Sequence, residues 1–206
     1  NVENESTEIT VEQVSVVAKV GDTAKYVDAV QIVLSDDSVM VNGESAATLD
    51  DNAVYVSNDI IYYENKDTYE SGNPYGEGED ADKHSAEEGL AHTVVNITQP
   101  GTYHITGKLS AGQIFVNVGE KETDKVTLIL NGVDITCKVA PAVLFYEVYE
   151  CDEDASEETA TKDVDTKDVG AKVILADGSV NNVSGSYVAK IYKDNEKEKK
   201  LHKYDG

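Results

Sequence analysis

Glu77, Glu79, Asp80 and Asp82 fall within six residues of one Gly-rich stretch. Clustered oxygen donors of this kind can close around a hard divalent cation such as calcium. Asp152, Glu153 and Asp154 form a second cluster. Neither follows the spaced Asp-x-Asp-x-Asn-Gly pattern of an EF-hand loop, so a solvated acidic loop is the competing reading. Tyr62, Tyr63, Tyr69 and Tyr75 approach or enter the first acidic stretch. Such rings can serve as platforms on which the C–H face of a sugar stacks, while half-buried packing is the plainer role for a tyrosine on a β-surface. The chain holds 12 Tyr, 2 Phe and no Trp, so tyrosine has to supply most of any aromatic contact. Cys137 and Cys151 flank one apolar run, an arrangement that suits either a disulfide between adjacent segments or two buried thiols. The four histidines, His84, His92, His104 and His202, show no ligand-like spacing with them.

Catalysis is harder to build from these residues. A lyase acting on uronic acids needs a base near the C5 proton and positive charge against the substrate carboxylate. The sequence contains no Arg, and Lys138, Lys190 and Lys193 stand at no fixed spacing from a carboxylate cluster. Glycoside hydrolysis needs two opposed carboxylates, and 40 acidic residues offer too many pairs to single one out. The reading therefore leans away from an enzyme.

The formal net charge is −23, with 40 carboxylates against 17 cationic residues, all of them Lys. A nucleic-acid partner would require a basic face, and base reading favours Arg, so that class is set aside. No apolar run reaches membrane-spanning length. The chain opens at Asn1 without Met and is rich in Ser, Thr, Asn and Tyr, which suits an exported bacterial product with a processed N-terminus.

These residues need elements to position them, and the clearest is Lys125 to Thr136, KVTLILNGVDIT: an apolar strand, a corner at Asn131-Gly132, and a second short strand. Ala171 to Gly185, AKVILADGSVNNVSG, repeats the pattern with Asp177-Gly178 as its turn. Removing the acidic, low-complexity insertion at about 150–168 leaves a repeat of solenoid length. Elsewhere short apolar segments alternate with Asx and Gly turns: Val30 to Leu34, Val39 to Asn42, Val54 to Val56, Ile60 to Tyr63, Thr93 to Thr98, Tyr103 to Thr106 and Gln113 to Val118. Ser85 to Leu90 carries a capping-box spacing, Ser85 with Glu88, and predicts one turn of helix. The fold class expected is all-β, as a right-handed parallel β-helix in preference to a sandwich. The expected organisation is an N-terminal β-rich cap over 1–91 with its acidic Gly-rich loop, then the first rungs over 92–206. The tail, ending Tyr204-Asp205-Gly206, reads as the lead-in to another strand, so a fragment of a longer solenoid is expected.

Several motifs within this pattern resemble one family. Gly101-Thr102-Tyr103 through Val116, Val126 to Thr136, Pro141 to Tyr146, and Ala176 to Tyr187 occur in order within a match over roughly residues 28 to 206. They are similar to the carbohydrate-binding domain-containing proteins, exported bacterial proteins chiefly of Firmicutes. The resemblance implies a pectate-lyase-like parallel β-helix, calcium at acidic loops, a plant cell-wall polysaccharide (pectic or cellulosic) as partner, and further C-terminal rungs in the natural protein. It carries over no individual binding residue. The function expected is thus an exported, calcium-assisted polysaccharide-binding protein at or released from a bacterial surface. A lyase-like β-helix and a structural or adhesin-like stalk stand as alternatives.

Overall fold

A computed structural model describes residues 16–65, 76–150 and 168–186, and in backbone alone 190–192 and 201–202, as for Gly76 and Glu77. The described chain is almost wholly β. The strands are β1 (Val30–Leu34), β2 (Met40–Val41), β3 (Glu44–Ser45), β4 (Val54–Ser57), β5 (Gly76–Glu77), β6 (Thr93–Ile97), β7 (Gly101–Leu109), β8 (Gly112–Asn117), β9 (Val126–Thr136), β10 (Val143–Glu147), β11 (Ala171–Leu175), β12 (Asn182–Ser184), β13 (Lys190–Tyr192) and β14 (Leu201–His202). A single short α-helix, α1 (Ala86–Leu90), lies among them in the described part. Ser85 caps it as its spacing predicts: the Ser85 hydroxyl accepts the Glu88 N–H at 3.2 Å and Glu88 accepts the Ser85 N–H at 2.8 Å.

From β6 to β11 successive strands go to alternate sheets. One sheet runs β11-β9-β7-β1-β2-β3, with β12 also on β9; a second runs β10-β8-β6-β4; β14-β13-β5 form a third. In the first sheet β1, β7, β9 and β11 are mutually parallel, and β2 and β3 extend it antiparallel. In the second, β6, β8 and β10 are parallel and β4 is antiparallel to β6. Both sheets are therefore mixed, and both draw strands from before residue 91 and after it. The inner rows explain why these residues form strands. Ile32, Ile105 and Leu130 are consecutive partners in the first sheet, as are Val95 and Ile114 in the second, and all are buried. Apolar residues at period two place one face of each sheet in a shared core.

The stretch around Asn131 is one continuous 11-residue strand, where the sequence suggests two strands and a corner. The corner survives as a bulge. β7 and β9 are in register at Ile105 with Leu130 and again at Gly107 with Val133, so β9 carries one extra residue there. That residue restores phase: Leu128 and Leu130 point inward before the bulge, Val133 and Ile135 after it, all buried. Gly107 and Gly132 have φ of 92° and 78° at this level. The echo noted in sequence is a physical stack, with Ala171 to Leu175 on Val126 to Leu130 and Asn182 to Ser184 on Asp134 to Thr136.

One expectation changes. Ile60 to Tyr63 form no strand, although Ile60, Ile61 and Tyr63 are buried; their apolar run reflects burial against the core and not sheet pairing. Residues 1–27 read in sequence as a frayed start followed by a strand, a reading that falls largely on residues 1–15, outside the described residues; residues 16–29 hold an isolated bridge between Lys19 and Val180 and a 3-10 turn at Ala24–Tyr26.

Candidate functional site

The second sheet turns one row of side chains away from the core. Tyr55 of β4 is the partner of Asn96 on β6, Asn96 of Phe115 on β8, and Phe115 of Leu144 on β10. The adjacent row, Val56, Val95 and Ile114, faces the core, which makes Tyr55, Asn96 and Phe115 the outer row on β4, β6 and β8; on β10 the partner Leu144 is a buried core residue. Tyr146, 8% exposed and part of the buried core, stacks its ring on Phe115 from behind the irregularity between Phe145 and Glu147, at 5.2 Å and 29°. Tyr55 and Phe115 are half-buried; Asn96 lies between them, its Nδ2 donating to Ser57 Oγ at 3.0 Å and to Val94 O at 3.3 Å. Asn96 is 5% exposed and its Nδ2 is spent within the sheet, so what this face offers a sugar ring is the half-buried aromatic area of Tyr55 and Phe115.

The residues singled out from sequence fall elsewhere. Tyr63 is buried at 6% exposure, its ring against Gly78. Tyr62 is half-buried with its ring over Gly89 of α1. Tyr69 and Tyr75 lie outside the described residues, as does the Glu77 side chain. In the acidic stretch, Asp82 Oδ2 accepts the Glu79 N–H at 3.0 Å and caps a 3-10 turn at Asp80–Asp82, and Asp80 pairs with Lys83 at 2.6 Å. Lys83 holds the Asp80 carboxyl below the usual range through that hydrogen bond and its charge. These carboxylates thus serve their own turn, and as placed they fit a calcium ion poorly; among the described residues no group of three or more His, Cys, Asp or Glu could hold a metal. Cys137 is a buried free thiol whose ionisation burial pushes up, while Cys151 lies outside the described residues.

Two histidines to which the sequence assigns no role are buried in polar networks. His92 Nδ1 donates to Glu88 O at 2.7 Å, and Nε2 accepts the Lys138 N–H at 3.1 Å, tying α1 to the turn after β9. His104 Nδ1 donates to Gln31 Oε1 at 2.7 Å, and Nε2 accepts from Asn131 Nδ2 at 2.9 Å. Gln31 Nε2 donates in turn to the carbonyls of Tyr26 and Ala29, Asn131 Oδ1 accepts the Gly21 N–H at 2.6 Å, and Tyr26 stacks on His104 at 5.2 Å. Every donor in this network meets an acceptor only with the imidazole neutral, and among the described residues no nucleophile or carboxylate is bonded to either ring. The role is to strap residues 21–29 onto the first sheet. Long-range pairs of this kind leave no local sequence signal.

Burial holds His104 below the ordinary histidine range, and the groups bonded to it or stacked on it, Gln31, Asn131 and Tyr26, are uncharged. A depressed folded-state value means the unfolded chain binds the proton first, so this contribution to stability is present above the unfolded value of 6.5 and is lost as pH falls below it. We expect His104→Gln to flatten the fall in melting temperature between neutral and mildly acidic pH; an unchanged slope would place the acid sensitivity elsewhere.

A small cavity of about 250 Å³ opens beside His92, lined by Glu88, Ala91, His92, Ala111, Lys138 and Val139. The Ser85 N–H and hydroxyl hold the Glu88 carboxylate in place at 2.8 and 3.1 Å and keep its pKa below the ordinary range.

No curated protein and no solved structure matches the chain. Residues 91–168, the segment that contains β6 to β10 and three of the four strands of the second sheet, are similar to the family described as carbohydrate-binding domain-containing protein.

Proposed function

We propose that this chain is an exported polysaccharide-binding module, folded as a right-handed parallel β-helix, that holds a plant cell-wall glycan along the outer face of its second sheet. The observation that carries the reading is the coincidence of the family similarity over 91–168 with the strands bearing Asn96, Phe115 and Tyr146. Strands parallel to one another in alternate sheets are the arrangement a solenoid uses, and they repeat one face at regular intervals along an axis, suiting a polymer ligand. The acidic, Arg-free surface favours a neutral glycan over a polyanion held by side chains. Export to a bacterial surface is part of the proposal and rests on the resemblance and composition.

Calcium assistance at residues 77–82 would require the ion to displace Lys83 from Asp80 and to open the turn that Asp82 caps. Affinity electrophoresis on pectic and cellulosic polysaccharides, with and without a chelator, tests both parts. Retardation that survives chelation assigns binding to the rings; retardation lost on chelation assigns it to the ion. Phe115→Ala should weaken retention by roughly 3–10-fold, the scale of one lost aromatic contact, with stability controlled by circular dichroism. Retention unaltered in both Phe115→Ala and Tyr55→Ala would sink the outer-face assignment, and release of an unsaturated, ultraviolet-absorbing product would replace binding by lyase chemistry.

A further inference from the structure

Resting on the carbohydrate-binding reading, we propose a second sugar site: the cavity between α1 and the turn after β9 takes a single uncharged pyranose unit, a chain end or a branch, independently of the aromatic row.

The cavity is built from segments that the fold locks together. His92, 4% exposed, bonds Glu88 O on one side and the Lys138 N–H on the other, so the two walls are fixed relative to each other before any ligand arrives. Because both ring nitrogens are spent, His92 can offer the cavity only its ring. Ala91, Ala111 and Val139 make the lining mainly apolar, and Glu88 and Lys138 are the residues at its border that carry charge. This division matches a pyranose, which has an apolar C–H face and a rim of hydroxyls that donate to a carboxylate and accept from an ammonium. Two hydrogen bonds from Ser85 orient the Glu88 carboxylate, so the acceptor is pre-positioned. A volume of about 250 Å³ lies at the small end of ligand cavities and has room for about one sugar unit, which suits a chain end or a branch. An anionic sugar would bring its carboxylate toward Glu88 on a chain of net charge −23, which selects against uronic acids.

The pocket lies within or beside the family-matched segment, since Ala91, His92, Ala111, Lys138 and Val139 are all inside 91–168. It is separate from the outer row, because none of Tyr55, Asn96 or Phe115 lines it. Two modes of recognition follow on one scaffold. A row of rings reads chain length, and a pocket of this size reads the identity of one residue.

Amide NMR spectra titrated with methyl glycosides of neutral hexoses and pentoses, at millimolar concentrations, test this on the full chain. Shifts clustered at Ala91, His92, Ala111 and Val139 are expected for at least one glycoside. They should vanish in Ala111→Phe, which fills the cavity from a half-buried turn, and weaken at least threefold in Lys138→Ala, an exposed position that keeps the proposal testable if the first variant fails to fold. Methyl glucuronide should leave the same amides unmoved. Polymer retention by the wild type without any pocket shift overturns the pocket and leaves the row; pocket shifts without polymer retention uphold the pocket and overturn the row. Shifts that persist in Ala111→Phe, or that are produced by zwitterionic amino acids in place of sugars, overturn the pyranose assignment.

Discussion

Gly107→Ala is expected to lower stability by about 3–5 kcal/mol, enough to shift the melting temperature by about 10 °C or more. Two costs add. The residue adopts φ of 92°, where a side chain is strained, and a Cβ there would collide with the Leu34 carbonyl oxygen, with Leu34 N only 3.0 Å away. Leu34 is the parallel partner of Gly107 in β1, so neither strand can retreat without breaking the ladder between β1 and β7. Gly178→Ala is the control. Its φ is 73° but nothing lies within 4 Å of the added carbon, so it should lose only about 1 kcal/mol from strain. Thermal unfolding followed by circular dichroism separates the two costs, and equal shifts for both variants would show that close strand approach at Gly107 contributes nothing.

Asn131→Ala should produce the second large effect, about 2–5 kcal/mol, and a local one. The Asn131 side chain is fully buried, and its loss leaves the Gly21 N–H and His104 Nε2 without the partners they have now. Buried polar groups without partners are costly, and the least expensive escape is to let water in by lifting the strap. Hydrogen exchange should therefore accelerate at residues 19–29 well before the amides of β7 and β9 respond. The Lys25–Asp177 ion pair is exposed and adds little to hold the strap down. Uniform protection across strap and sheet in the variant would mean that the segment is anchored by its bridge to Val180 and not by Asn131.

The sequence disclosed what depends on neighbours in the chain and hid what depends on register. The capping box at Ser85 and Glu88 is local, and it formed as its spacing requires. The repeat between Lys125–Thr136 and Ala171–Gly185 was visible because stacked strands impose the same inner-outer pattern on both copies. Tyr55, Phe115 and Tyr146 could not be grouped in advance, since each comes from a different strand and only the pairing of β4, β6, β8 and β10 sets them side by side. Tyr62 and Tyr63 drew notice by adjacency to an acidic loop, yet their rings pack on Gly89 and Gly78. Composition marked the loop as polar; it could not say that Asp80 and Asp82 were engaged within their own turn.

The two stretches that flank residues 151–167 meet at nearly one point. Tyr149 N–H donates to Asp124 O, Val126 N–H donates to Gly170 O, Gly170 lies against the Tyr149 backbone, and Lys125 both pairs with Asp168 and rests 4.9 Å over the Tyr149 ring. Ends already held together make the length of chain between them matter little to the strands on either side, because each doubling of a closed loop adds only about 0.6 kcal/mol of closure entropy. The position between Tyr149 and Asp168 is therefore the scaffold's natural grafting point, where a tag, a reporter or a second binding loop can be spliced in while the sheets on either side keep their registers.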